Sequence, residues 1–516
     1  MKPVTIWIVL ALAVCCGVGW GCGAETGRAL ADPGDRPAVV ADRFYPGDAT
    51  KLEQAIRAYL AAATVPCDGA TAAEPPLALV APHAGYLFSG QICADAYRQA
   101  LGHEYELVVI LGTNHTSGSF DKVSLYPGSG YQTPLGLCEI DQDVTAALLA
   151  ADPRFVFEPA LHESEHSVEV QVPFIQVAFP EAKIVAAVVG RPDLDLCRRF
   201  GQALANTLAG RRVLVVASSD LSHYPSYADG VASDGATLAA IASFETENVI
   251  DTIGQQLRRG RHELRTCACG EAPILTAMFA AEALGATHGD VVSYANSGDC
   301  AVGDLARVVG YGAVVFRAGP ESGGNDGLIR PEVAPASASL QSTDRQALLQ
   351  FARHTIQQFL ETETLPLARD FSPVLNRKQG AFVTLKRHGQ LRGCIGHMAE
   401  DLPLCQVVGA MAYQAAFNDR RFRPLRSDEL ADVEIEISVL TPFTRVTGPE
   451  AIVVGRDGVV LRKSDRSAVY LPQVATEQGW TREEMLDNLC RKAGLSAGEW
   501  RRGAELHTFQ AIVFHE

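Results

Sequence analysis

The first half of the chain alternates between two patterns of apolar and polar positions. Runs that are apolar at nearly every position fall at 77–81, 107–112, 184–190 and 213–217. Longer amphipathic stretches lie near 49–63, 89–101, 141–151, 194–209 and 272–284. A short run with no polar face predicts a strand covered on both sides, and the amphipathic stretches predict helices. Strands and helices taken in turn predict an α/β domain with a largely parallel central sheet. In such sheets ligands gather outside the carboxyl ends of the strands. Those ends carry titratable groups here. "LVAPHAGY" leaves its strand at Pro82 and reaches His83, and "ELVVILGTNH" ends on His115. "RRVLVVASSDLSH" delivers Asp220 and His223.

The second half has a different rhythm. "LLQFARHTIQQFL" and "LCQVVGAMAYQAAFND" read as helices. "GAFVTLKRHGQLRGCIG" reads as two strands around a turn at His388-Gly389, and "DVEIEISVLTPF" alternates strictly, as a strand with one covered face does. Separate helices and hairpins predict an α+β domain. Between the halves, "RAGPESGGNDGLIRPEVAPASASLQSTD" is rich in Gly, Pro, Ala and Ser and reads as a linker. The expected division is a first domain over 37–317, a linker over 318–343 and a second domain over 344–516.

Composition adds three constraints. The formal charge of −16, from 44 basic and 60 acidic residues, argues against a nucleic-acid partner. Lys2 followed by an uncharged apolar stretch up to Glu25 predicts an export signal or membrane anchor over 1–31, with the membrane touched only there. Cys22, in "GWGC", is the candidate for lipidation, and Cys15 a weaker one. The expected location is therefore exported or membrane-anchored, and cytoplasmic only if the leader is not a signal. The 13 cysteines are odd in number and lack the dense spacing of a disulfide scaffold, so most read as small buried apolar residues.

Imidazole is a common ligand for iron, copper and zinc. Two histidines at neighbouring strand ends need a third donor, and Cys269, Asp220 and His223 are the candidates. Cys269 lies just before the helix of "CGEAPILTAMFAAEAL", where a helix N-terminus favours a thiolate. In "HESEHSVEVQVPF", His162 and His166 are spaced as on one helix face, and Glu165 could orient an imidazole or receive a proton. In the second half, Arg392 and Cys394 share a Gly-flanked strand end, where a guanidinium would favour the thiolate. The alternative is a cysteine packed where Gly393 and Gly396 bring backbones close. Asp419, Arg420 and Arg421 read as a surface salt-bridge cluster.

Eight ordered blocks carry a resemblance: "RFYPGD", "APHAGYLFSG", "LGTNH", "EHSVEVQVPF", "SSDLSHY", "CGEAPI", "NSGDCAVGD" and "VVGYGAVVF". Residues 37–317 resemble the Memo family. The resemblance implies a fold similar to class III extradiol dioxygenases, which are non-haem iron enzymes. It implies metal binding at His83, His115 and Cys269, with Asp220, His223 and His166 as cleft neighbours. The dioxygenases use two histidines and a carboxylate, so a cysteine here changes the redox setting and admits copper or zinc beside iron. Through "LNRKQGAFVTLKRHGQLRGCIG", "AAFNDRRFRPL", "VEIEISVLTPF", "LPQVATEQGW" and "CRKAGL", residues 344–516 look like the AMMECR family. That resemblance implies a cleft including Arg392, Cys394 and Asn376. The pair is similar to parts B and A of the AmmeMemoRadiSam system, which implies a radical S-adenosylmethionine protein as partner. No "CxxxCxxC" motif for that third part is present.

These readings converge on a metal-dependent, dioxygenase-like redox enzyme. Its metal would sit on His83, His115 and Cys269, with His223 or His166 moving protons. The second domain would present or modify a small-molecule or protein substrate. The competing readings are a metal-holding scaffold without turnover and a metal-free nucleophilic enzyme using Cys269 or Cys394.

Overall fold

In the computed structural model, residues 33–65, 74–319, 333–335 and 338–516 are described. The leader with Cys15 and Cys22 lies outside them, as does most of the linker. Among the described residues no helix is long and apolar enough to cross a membrane.

The four apolar runs of the first half form the centre of an eight-stranded sheet. Ala78–Ala81, Val213–Ser218, Leu107–Thr113 and Lys183–Val189 lie side by side and parallel. Both flanks are antiparallel. Gly310–Arg317 pairs with Ala78–Ala81 and then with His288–Asn296, and Val123–Leu125 pairs with Lys183–Val189. Phe155–Val156 closes that edge, parallel to Val123–Leu125. Among the described residues, four of the seven strand pairings are parallel, so the sheet is largely parallel as expected, with its antiparallel pairings on the flanks. Parallel neighbours need long crossovers, which the intervening helices supply; on the flanks only His288–Asn296 and Gly310–Arg317 are consecutive strands joined by a loop that allows direct reversal.

The central strands are apolar throughout because the sheet is covered on both faces. Leu79, Val108, Ile110, Ile184 and Val216 face one layer, which includes Tyr59, Ile92 and Phe174. Val80, Val109, Leu111, Val185 and Val215 face the other, with Leu148, Phe200, Leu238 and Met278. The helices that supply these partners include Ala49–Ala61, Tyr86–Arg98, Gln142–Ala151, Leu194–Thr207 and Glu271–Leu284.

The second half holds two four-stranded antiparallel sheets. The first takes Gln390–His397, Ala381–Arg387, Val433–Leu440 and Ala511–His515, and buries its apolar face under helices Ser342–Thr362 and Leu404–Phe417. Its hairpin turns at His388 and Gly389, both with positive φ (52° and 74°), the backbone that a two-residue turn between twisted strands requires. The second sheet packs Val459 and Leu461 against Leu486 and Leu489 of helix Arg482–Lys492.

Arg317 is buried as the last residue of the first sheet, and Leu340 is buried in the second core. The two halves are packed together. Leu367 lies against the first core, and Arg369 reaches the fully buried Asp95 at 2.7 Å. Gln406 Nε2 donates to Asp299 Oδ1 at 2.9 Å.

Candidate metal centre

Pro82 cannot extend the ladder beyond Ala81, so the chain turns out of the sheet at His83 and enters helix Tyr86–Arg98. Ala81 is the register partner of Ser218 on the adjacent parallel strand. That pairing sets His83 beside the Ser218–Asp220 segment. Asp220 Oδ1 accepts from the backbone N–H of His83 at 2.9 Å and of Ala84 at 3.2 Å. Its other oxygen lies 4.0 Å from Nε2 of both His83 and His223. Cys269 arrives from across the sheet, where its backbone N–H donates to the carbonyl of Asp220 at 3.2 Å. Its Sγ is 3.3 Å from His83 Nε2.

The hydrogen bonds fix which nitrogen each histidine offers. Ser218 Oγ donates to the Ser167 carbonyl at 2.6 Å and accepts from Gln171 Nε2 at 3.0 Å. Gln171 is oriented by a second donation from the same nitrogen to the Pro82 carbonyl at 2.9 Å. The Ser218 hydroxyl proton is therefore committed, so His83 Nδ1, at 3.0 Å, must be the donor to Ser218 Oγ. His83 Nε2 is thus the nitrogen turned toward Cys269, and the one a metal would take. His115 is pinned similarly: its Nδ1 is 2.9 Å from Glu165 Oε1, and its backbone N–H donates to Glu165 Oε2 at 2.9 Å. His115, His83 and His166 cluster, with ring centroids 4.6 Å apart for His115–His166 and 5.3 Å for His83–His115. Phe44 closes the open side of His166 at 4.7 Å.

Charge follows from this crowding. Burial alone would push the Cys269 thiol up, but His83, His115 and His223 outweigh it and hold the pKa well below the ordinary value. Burial would lower His115, yet Cys269 and Glu165 raise it to about 10. His166 goes the other way. Burial and the neighbouring His83 and His115 lower it to about 3, so it is a neutral imidazole. His223 Nε2 is buried with no hydrogen-bond partner of ordinary geometry.

Two overlapping donor sets come within 4.8 Å of mutual contact: His83, His115 and His166, and His83, Asp220 and Cys269. His83 is common to both. A thiolate, imidazoles with their far nitrogens anchored, and an orphaned buried Nε2 fit a late transition ion better than a hard cation.

The profile of the Memo-like protein family matches residues 36–315. The chain belongs to the Memo family. The AMMECR1 profile matches residues 349–514, so the Memo-like domain and an AMMECR1 domain share one chain. A MEMO1 family protein of Nitrosopumilus maritimus is 32% identical over 282 residues, covering 54% of this chain and 99% of its own length. One of Methanopyrus kandleri is 33% identical over 292 residues, covering 55% of this chain and 100% of its own. The crystal structure of an uncharacterized protein from Pyrococcus horikoshii is 37% identical over 33% of this chain and 90% of its own, with a TM-score of 0.31.

Not every residue singled out from the sequence reaches the Memo-like cleft. His162 and His166 do not share a helix. Helices Ala160–Glu163 and His166–Glu169 are separate, and the extended Glu165 between them (φ −72°, ψ 125°) caps the second. His166 turns into the cleft, while His162 is buried between Ser124 Oγ at 2.9 Å and Tyr131 OH at 3.2 Å. Glu165 is the residue that orients His115. The seat formed by Ser167, Gln171 and Ser218 has no counterpart in the sequence reading. Its trace is the polar alternation of "EHSVEVQ", where Glu165, Ser167, Glu169 and Gln171 are all buried.

In the AMMECR1 domain, Arg392 does not serve Cys394. Its guanidinium forks onto Glu429, with Nε at 3.1 Å and Nη2 at 3.0 Å. The cation at Cys394 is Arg421, whose Nη2 donates to the Cys394 carbonyl at 3.0 Å, while Asp419 accepts from the Cys394 N–H at 2.9 Å. The expected salt bridge forms between Asp419 and Arg421 at 2.7 Å, with Arg421 exposed but Asp419 buried, so the pair also clamps the strand. A Cβ on Gly393 would lie 2.2 Å from the Ala415 carbonyl oxygen, and one on Gly396 2.1 Å from the Phe382 ring. The glycines of "LRGCIG" are therefore explained by packing. Asn376 Oδ1 faces the buried Cys405 at 3.8 Å. The nine cysteines of the described residues are all free thiols, six of them buried.

Proposed function

We propose that the Memo-like domain is a metal-dependent oxidoreductase that holds a late transition ion, iron or copper, on His83, His115 and Cys269. The observation that carries this reading is the depressed Cys269 thiol, faced by imidazoles whose opposite nitrogens are already committed. Such an ion, when bound, supplies one-electron chemistry and polarises a coordinated oxygen. The chain supplies the rest. Ser218 and Glu165 keep the Nδ1 protons of His83 and His115 in place, so each Nε2 stays available. His223, whose pKa is raised by Cys269 and Asp220 against the effect of burial, gives or takes the proton in the cleft. His166, neutral, stacked on His115 and packed against Phe44, orients substrate.

The AMMECR1 domain assists by presenting substrate at this rim. Gln406 holds Asp299, which also accepts from Tyr227 OH at 2.7 Å. The loop carrying Asp299 ends at Val309, which bridges to His223.

Oxygen uptake tests the reading. The full chain, loaded anaerobically with ferrous iron, should consume oxygen in the presence of catechol-like compounds. His223→Gln should retain its iron and lose most of that uptake. No uptake by the fully loaded parent would overturn the redox reading and leave a metal-holding scaffold.

A further inference from the structure

The seam between the two sheets of the AMMECR1 domain contains a cavity of about 450 Å³. Its walls are unlike each other. Met398, Phe443, Val460 and Val469 make one side, continuous with the small apolar cluster that joins the sheets. Arg462 and Lys492 make the other. The alternation of strand Gly458–Lys463 explains the arrangement: Val459 and Leu461 enter the core under helix Arg482–Lys492, so Val460 and Arg462 point to the opposite face.

Among the described residues, the two cations lack the carboxylate partners that flanking cations have. In a chain of net charge −16, their neighbours Arg445, Lys463 and Arg501 are each matched by a glutamate. Among the described residues, no carboxylate forms an ion pair with Arg462 or Lys492. Lys492 is nevertheless held in place. Its Nζ donates to the Val469 carbonyl at 2.9 Å and lies 4.7 Å from the centre of the Tyr470 ring. The side chain is exposed, and partial shielding from water lowers its pKa. The volume falls within the range of small-molecule sites, and the mix of apolar wall and few oriented charges is what such sites present.

We propose that this seam binds a small organic anion, with an aromatic or otherwise flat apolar body against Phe443 and Val460 and its acidic group between Arg462 and Lys492. The site is separate from the metal centre and does not depend on it.

The probe is naphthalene-2-sulfonate, titrated calorimetrically into the full chain. The parent should bind one equivalent saturably. Arg462→Gln and Lys492→Gln should each weaken binding about ten-fold or more, at the unchanged melting temperature expected of exposed positions. Ala399→Trp, which fills the mouth of the cavity, should abolish binding with both cations still present. Neutral 2-naphthol and inorganic sulfate should each bind at least ten-fold more weakly than the probe. The proposal is overturned by absence of saturable binding in the parent, by undiminished affinity in the double charge variant or in Ala399→Trp, or by sulfate binding as tightly as the aromatic sulfonate.

Discussion

The proton on His83 Nδ1 decides what the cleft can hold. Only while Ser218 accepts it is Nε2, beside Cys269, the nitrogen free to lose its proton to a metal. Ser218→Ala frees the ring to change tautomer and rotate, and metal affinity should fall about 10- to 100-fold with the fold intact. Titration of metal into the variant, followed by a competing chelator, reads this directly. His162 makes a contrasting prediction. Burial and the nearby Arg36 lower its pKa to about 3, against roughly 6.5 in the unfolded chain. The folded state therefore resists a proton that the unfolded state accepts. Its stabilising contribution is complete above pH 6.5 and is lost as the pH falls from there toward 3, at about 1.4 kcal/mol per unit. Melting curves at pH 7 and pH 4.5 should show a smaller acid-induced drop for His162→Gln than for the parent. An equal drop would show that His162 is not a source of acid lability. A lone histidine in a sequence carries no sign of which of these two fates it meets. His162 and His166 differ through one extended residue, Glu165, whose backbone no periodicity reveals.

At the scale of elements, the sequence was legible wherever burial was one-sided or complete. The runs ending at His83, His115 and Asp220 are strands, and the amphipathic stretches between them are helices, within a few residues. The antiparallel flanks were less legible, because strand direction depends on connections rather than on the apolar pattern. Close approach was legible only as glycine. Gly270 sits between Cys269 and helix Glu271–Leu284, and a Cβ there would lie 2.6 Å from Ser219 Cβ and 2.7 Å from the Ser218 carbonyl oxygen. Its φ of −98° would suit alanine, so the constraint is space alone. Gly270→Ala should cost about 1–3 kcal/mol in chemical denaturation. It should also weaken metal binding, because the helix start that carries Cys269 must withdraw from Ser219. Unchanged affinity would mean that the thiol's position tolerates that shift.

At the scale of the whole molecule, the two domains are joined by more than a tether. Asp95 is fully buried in the Memo-like domain, yet its guanidinium partner, Arg369, comes from the segment leading into the AMMECR1 sheet. Arg369→Ala should lower the stability of the Memo-like domain by roughly 1.5–3 kcal/mol, the range for a lost charge-assisted hydrogen bond. The melting temperature of the full chain checks it. The linker composition marked a boundary but not this dependence, since Asp95 and Arg369 are far apart in sequence and neither stands out locally. The central claim, that one ion sits on His83, His115 and Cys269, is tested most directly by metal content per chain after exhaustive dialysis. Parent, His83→Ala, Cys269→Ser and Cys394→Ser would be measured together. The parent and Cys394→Ser should each retain about one equivalent. His83→Ala should be empty, and Cys269→Ser should lose affinity by at least a power of ten, about 1.4 kcal/mol. Full retention by Cys269→Ser, at parental affinity, would contradict the thiolate ligand and pass the site to the all-histidine set of His83, His115 and His166.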